Sequence, residues 1–406
     1  MLSAFDLGAD GIASLDARRD HSPLAAARAR RYLAVMTTAI LAAPTKTAAA
    51  RAASRPVAIW LFAMCALIAL MVAVGGATRL TDSGLSITEW RPVTGALPPL
   101  GDAAWEAEFA KYKRIPEYRE VNAGMALADF KTIYWWEWGH RQLGRFIGFA
   151  FLLPLIFFTA TKRVDAALGG RLGLLFLLGG LQGAVGWWMV ASGLTERVDV
   201  SQYRLAAHLG LAVALFAATL WTALDLVEPR EARARVPRGV SIGAAAVALG
   251  VYLQIVLGAF VAGLRAGRSY TDWPLMDGRV VPDGYFDGPA RVGALFETAA
   301  ATQFNHRLGA YLLAAGALAF AYAARRTVVA DRARLVAGLT LAQGVMGVLT
   351  LVNGAATPLA LAHQFLAIAL FATALYTAHG APAGGPDDAM AGAPGRRSRT
   401  DLPASD

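Results

Sequence analysis

Cysteine is nearly absent: Cys65 is the only one in 406 residues. No intrachain disulfide can form, and no paired-cysteine metal motif exists. Cys65 lies inside an apolar run and reads as a small buried hydrophobe. Charge is scarce too. Only 17% of residues are charged, against about 25% in an ordinary soluble domain. Histidine is limited to six residues, and their placement therefore carries information.

Apolar residues make up 56% of the chain and are gathered into eight runs, at about 57–77, 142–161, 172–191, 205–224, 241–263, 308–324, 335–353 and 359–378. Runs of roughly twenty residues match a helix crossing about 30 Å of hydrocarbon. The expected fold class is an all-α polytopic membrane protein with eight transmembrane helices.

The net charge of +9 arises from 38 basic and 29 acidic residues and does not point to nucleic acid. Basic residues concentrate in alternate short connections: Lys162, Arg163 and Arg171; Arg230, Arg233, Arg235 and Arg238; Arg325, Arg326, Arg332 and Arg334. Arg51 and Arg55 precede the first run, and Arg396, Arg397 and Arg399 follow the last. With eight alternating helices all these segments share one side, which the positive-inside rule makes cytoplasmic, with both termini.

Residues 1–50 are rich in Ala and Arg and too polar to span, so they read as a disordered extension. Their arginines faintly resemble a transit peptide, against which Asp6, Asp10, Asp16 and Asp20 count. Met36 is an alternative start. The Gly-, Pro- and Ala-rich tail, 380–406, reads as disordered.

An internal repeat organises what lies between. "WGHRQLGRFIG" parallels "FNHRLGAYLL", "LQGAVGWWMV" parallels "AQGVMGVLTL", and "LAAHLGLAVALFA" parallels "LALAHQFLAIALFA". These pairings align His140-Arg141 with His306-Arg307, Gln182 with Gln343, and His208 with His363. More loosely, "GGATRLTDSGLSITEWRP" resembles "AGLRAGRSYTDWP", matching Arg79 with Arg265. Each unit holds four helices, an even number, so the expectation is two parallel, pseudo-symmetric four-helix bundles, 51–230 and 231–379.

His140, His208, His306 and His363 fall at the starts of the second, fourth, sixth and eighth runs, on the outer side. His21 and His379 receive no role. One histidine near a helix end is commonly just hydrogen-bonded, but the same placement four times in a duplicated frame favours ligation. Two neutral imidazoles per bundle, without thiolates or a carboxylate cluster, suit axial ligation of haem, whereas zinc prefers three or four protein ligands. No C-x-x-C-H motif exists, so such a haem would not be covalently attached. Gly179, Gly180, Gly183 and Gly186, with Gly344 and Gly347, either make room for a porphyrin or merely let helices approach. Arg79, Arg141, Arg265 and Arg307 lie near the same boundary and are candidates for haem propionates or for lipid headgroups. Glu137 precedes His140 by three residues, hence on one helical face, while its aligned counterpart is Gln303, an amide. Either Glu137 makes one of two similar sites chemically active, or it is a solvated helix-start acid. Gln182 and Gln343 are the only midplane polar groups noted, and hydrogen bonding between helices accounts for them.

Together these residues resemble the haem A synthase family over about residues 57–378. The resemblance rests on Glu137-Trp138-Gly139-His140-Arg141, Gln182-Gly183, Gln343-Gly344, His208, Asn305-His306-Arg307, His363, and the loops at Trp90-Arg91-Pro92 and Trp273-Pro274. It implies an eight-helix enzyme of the bacterial plasma membrane that converts haem O to haem A for cytochrome oxidase, oxidising the C8 methyl to a formyl group. It further implies a haem b cofactor on His306 and His363, substrate haem O facing His140 and His208, and Glu137 as the essential acid. No cysteine lies between Thr78 and Glu137, as in the family's cysteine-free class. A complex with the farnesyltransferase that makes haem O, and a homo-oligomer, are further expectations; no residue designates the electron partner. The outer loop 78–136, with Trp90, Trp105 and Tyr112, is a candidate lid. Two other classes compete. A bis-haem b electron carrier explains four histidines but not Glu137, and a transporter built on parallel repeats calls for polar groups at the midplane.

Overall fold

The computed structural model describes residues 48–228, 230–288 and 293–384. The extension before residue 48, Met36 included, and the tail beyond Gly384 lie outside the described residues. Eight long helices, apolar enough to cross a membrane, account for most of the rest: α1 Ala48–Leu80, α2 Leu127–Ala160, α3 Ala166–Ala191, α4 Gln202–Val227, α5 Arg238–Gly263, α6 Ala299–Ala324, α7 Ala330–Val352 and α8 Thr357–His379. No strand occurs among the described residues; the backbone satisfies its hydrogen bonds within helices, as hydrocarbon requires.

Local sequence fixes several boundaries. The Asp165 carboxylate caps α3 by accepting from the Leu168 amide at 2.8 Å, and the Thr298 hydroxyl caps α6 through the Ala301 amide at 3.0 Å. A proline in the first turn opens α8, where its missing N–H costs nothing. Gly354 and Ala355, both at positive φ, turn the chain out of α7.

The halves are built alike. In the first, α1 packs on α2, α2 on α3, α3 on α4 and α4 back on α1; in the second, α5, α6, α7 and α8 close the same ring. The rings join through α1 with α8, α4 with α5, and α4 with α8. The largest apolar core fills this join toward the basic end, with Phe216, Leu220, Val247, Val251, Phe320, Phe371 and Leu375. A second core, around Leu61, Met64, Phe151 and Leu172, fills the same end of the first half. Outward-facing Phe146, Phe149, Leu153, Ile156 and Phe157 present a continuous apolar face to lipid.

Two boundaries depart from the hydropathy runs. Helix α2 begins at Leu127, far ahead of its apolar run, so His140 sits more than three turns inside the helix. His208, His306 and His363 also lie more than a turn inside theirs. The early turns of α2 are aromatic and polar because they pack on the outer loop rather than on lipid. Helices Asp102–Tyr112 and Pro116–Glu120 of that loop bury Trp105, Phe109, Tyr112 and Ile115 against Phe130 and Tyr134. Trp105 and Tyr112 are thus core residues of a folded cap, whereas Trp90 is half exposed and stacks on Trp187 at 6.2 Å. At the other end, Gly380–Gly384 is ordered: the Val236 amide donates to Pro382 and the Gly384 amide to Val236, holding the start of the tail against the connection between halves.

Candidate functional site

The four histidines occupy the end of the bundles away from the packed cores. Each ring rests on a glycine of the preceding helix, because only a residue without a Cβ leaves space for it. A Cβ on Gly75 would lie 3.2 Å from His140 Nε2, and one on Gly186 2.8 Å from His208 Cε1. The equivalent distances are 3.3 Å from Gly258 to His306 Cε1 and 3.1 Å from Gly347 to His363 Cε1. Thus Gly186 and Gly347 seat imidazoles, while Gly179, Gly180, Gly183 and Gly344 meet nothing nearby.

In the second half the rings of His306 and His363 face each other edge to face, with centroids 6.5 Å apart. Two imidazoles binding one metal through bonds of about 2 Å have centroids about 6 Å apart, so one iron fits between them. No cluster of three His, Cys, Asp or Glu side chains able to hold a metal exists among the described residues. Gln182 Nε2 lies 3.1 Å from His208 Nδ1, and Gln343 Nε2 3.1 Å from His363 Nδ1. The Oε1 atoms of these two glutamines are buried without a partner. An imidazole that gives Nε2 to a metal carries its proton on Nδ1, and a rotated amide supplies the acceptor that proton needs. The residues therefore fit a histidine-ligated haem.

Glu137, only 3% exposed, is the most heavily bonded acid at this end. Its Oε1 accepts from Arg141 Nε at 3.1 Å and Nη2 at 2.5 Å; its Oε2 accepts from the Ser86 hydroxyl at 2.8 Å and the Ile87 amide at 2.7 Å. These four bonds fill the roughly four lone-pair directions of a carboxylate. Arg141 also donates to the Ile87 and Glu89 carbonyls, tying the outer loop to α2. The second half repeats the arrangement with an amide. Gln303 accepts from Arg307 at 3.4 Å and donates to the Tyr270 carbonyl, while Arg307 holds the Asp272 and Leu275 carbonyls.

Arg79 and Arg265 meet at the join. Arg79 pairs with Asp199 at 3.0 Å and Asp82 at 3.4 Å; Arg265 pairs with the same two carboxylates at 2.9 Å each. The hydrogen bond from Arg265 to Asp199 holds that guanidinium protonated more firmly than usual. Gln364, next to His363, makes a further link: its amide donates to the Val72 carbonyl at 2.9 Å and fills the space above Gly76, beside the Gly75 seat of His140.

Sequence reasoning overlooked three features. Gln254 Nε2 lies 3.0 Å from His306 Nδ1, and the signal was available: Q-x-x-x-G precedes His208, His306 and His363 alike. Ser86 and the Ile87 amide had no signal, since a loop brings them to Glu137. At the opposite, basic end, Asp225 is buried and pairs with Arg171 at 3.0 Å, Arg233 at 2.6 Å and His379 at 3.1 Å. Arg171 and Arg233, counted by sequence as loop charges, thus share one internal carboxylate, and His379 has a structural partner.

Residues 58–375 match the family described as cytochrome oxidase assembly protein (COX15-CtaA). The chain is 51% identical over 323 residues to the heme A synthase of Parvibaculum lavamentivorans, covering 80% of this chain and 93% of that one. Identity to the heme A synthase of Azorhizobium caulinodans is 54% over 319 residues, 76% of this chain and 89% of that one. For that of Hyphomonas neptunium it is 51% over 329 residues, 80% and 93%. With eight spanning helices and this extent of identity, the chain is a multi-pass membrane protein that belongs to the cytochrome oxidase assembly family of the haem A synthases.

Proposed function

We propose that this protein is a haem A synthase that oxidises the C8 methyl of haem O to a formyl group, with haem b as resident cofactor. The observation that carries the reading is the duplicated imidazole pair with unequal neighbours, Glu137 in one half and Gln303 in the other. His306 and His363 would hold haem b, and His140 and His208 would face haem O. Haem supplies the one-electron redox chemistry when bound.

The chain's own residues set the conditions for a four-electron oxidation that passes through the alcohol. Glu137 and His140, three residues apart, share one face of α2. Ser86, Ile87 and Arg141 together take up all four lone-pair directions of Glu137 and fix its carboxylate in place. Its role is therefore electrostatic: a fixed negative group, already oriented, that stabilises positive charge developing at the methyl carbon. Arg141 orients that carboxylate and closes the outer loop over the site. Arg141 and Arg307 are the proposed propionate contacts; Arg79 and Arg265 would reach a propionate only by giving up Asp82 or Asp199.

The basic connections support a histidine end on the outer side of a bacterial plasma membrane, with both termini cytoplasmic. Delivery of haem O by its farnesyltransferase and association of copies belong to this proposal through family membership. The test is chromatography of haems extracted from a host that makes haem O, with and without this protein. Haem A only in its presence supports the reading. Two permanently bound b haems with haem O unconverted, despite a competent reductant, would replace it with a bis-haem electron carrier.

A further inference from the structure

Each histidine ring rests on a glycine, and the residue four positions before that glycine lies one turn away on the same helix face. In three cases that residue is glutamine: Gln182 before Gly186, Gln254 before Gly258, Gln343 before Gly347. All three amides do the same thing. Each Nε2 donates to the backbone carbonyl of its histidine, at 2.9, 2.8 and 3.0 Å, and lies 3.1, 3.0 and 3.1 Å from the ring Nδ1. When the ring ligates through Nε2 its proton sits on Nδ1, and the amide turns its Oε1 to accept that proton, fixing the ring's orientation.

The fourth case breaks the pattern. Met71 precedes Gly75, and a thioether sulfur is only a weak acceptor for a ring N–H. Its methyl turns toward Gly144, and no hydrogen bond reaches the His140 ring from any described residue. That ring also sits differently, presenting Nε2 to its glycine where the other three present Cε1. Val74 and Gly139, sequence neighbours of Gly75 and His140, line a surface groove of about 530 Å³ between α1 and α2.

We propose that Gln182, Gln254 and Gln343 are positioning residues that fix three imidazoles as iron ligands, and that Met71 leaves His140 as the one imidazole free to withdraw. This rests on the reading of the two pairs as haem sites and deepens it. Glu137 lies three residues before His140 on one face of α2, so withdrawal of His140 would open a haem near this acid, while His306 and His363 would both stay in place on the second.

The test is carbon monoxide binding to the purified full-length protein, titrated with haemin and reduced. The wild-type protein should bind carbon monoxide readily at one haem and poorly at the other. Met71→Gln, which gives His140 the missing amide, should weaken binding at the first haem by about tenfold, the equilibrium factor of one hydrogen bond. Gln254→Met should do the reverse, raising binding at the second haem by about tenfold. Gln343→Met gives the same readout should Gln254→Met not fold, and Gln254→Glu, which still bonds Nδ1, should keep the wild-type behaviour. Unchanged binding in Met71→Gln and in a folded Gln→Met variant, with haemin still held at both pairs, would overturn this inference and spare the haem reading. Failure of the wild-type protein to hold haemin at either pair would overturn both.

Discussion

The two halves of the molecule are one four-helix ring built twice, and they differ where it matters. Each has two imidazoles seated on glycines and an arginine clamping its outer loop through backbone carbonyls. The first half places Glu137 and Met71 where the second places Gln303 and Gln254. On the proposed reading the duplication preserves the geometry of a cofactor cradle, and Glu137 and Met71 set the reacting copy apart from the holding one. The outer loops differ too: the first has helices and an aromatic core of its own, and it delivers Ser86 and the Ile87 amide to the acid.

The difference is broken most severely at Glu137. Glu137→Gln removes one of the two differences and should lower haem A formation by about 10²- to 10³-fold while sparing the second half; quantified haem extracts from a haem O-producing host check it. Next comes the join. Asp225→Ala removes the carboxylate that pairs with Arg171, Arg233 and His379 and should cost about 3–5 kcal/mol, read as a lower thermal unfolding midpoint in detergent. A Cβ at Gly186 would press 2.8 Å from the His208 ring, so Gly186→Ala should cost about 1–3 kcal/mol and reduce haem bound in the first half. Gly183→Ala, with open space at its Cβ, should change neither.

The smallest effect concerns the first half's loop. Burial pushes the Glu117 carboxyl up to about 8, and the Tyr112 hydroxyl at 3.2 Å partly offsets this. A raised acid binds its proton more tightly when folded. The stability it lends is fully present below about 4.5, its ordinary value, and is lost as pH rises through about 8. Between pH 6 and 7 the loop should lose about 1 kcal/mol. Proteolysis of the loop across that interval should accelerate in the wild type and stay level in Glu117→Gln.

Hydropathy made all eight helices legible, because hydrocarbon demands long apolar runs, and the repeat made the paired rings legible. Helix α2 was read short because its first turns, through Tyr134 and Trp138, bury against a folded loop rather than lipid. The four histidines and Glu137 stood out through duplication and its one exception. Gln254 was missed because the weaker alignment of the first and fifth helices hid its kinship with Gln182 and Gln343. Asp225 and His379 were missed because a lone acid in an apolar run and a histidine at a chain end show no partner until the fold brings them within 3.1 Å.

The central claim is that the halves divide the work, one reacting and one holding. The most direct measurement is the haem complement of purified Glu137→Gln beside the wild type, both from a host that makes haem O. The account predicts haem b at wild-type occupancy in both, with haem A absent from the variant and haem O or its alcohol in its place. Haem A at wild-type levels in Glu137→Gln, or loss of haem b along with it, would contradict that division.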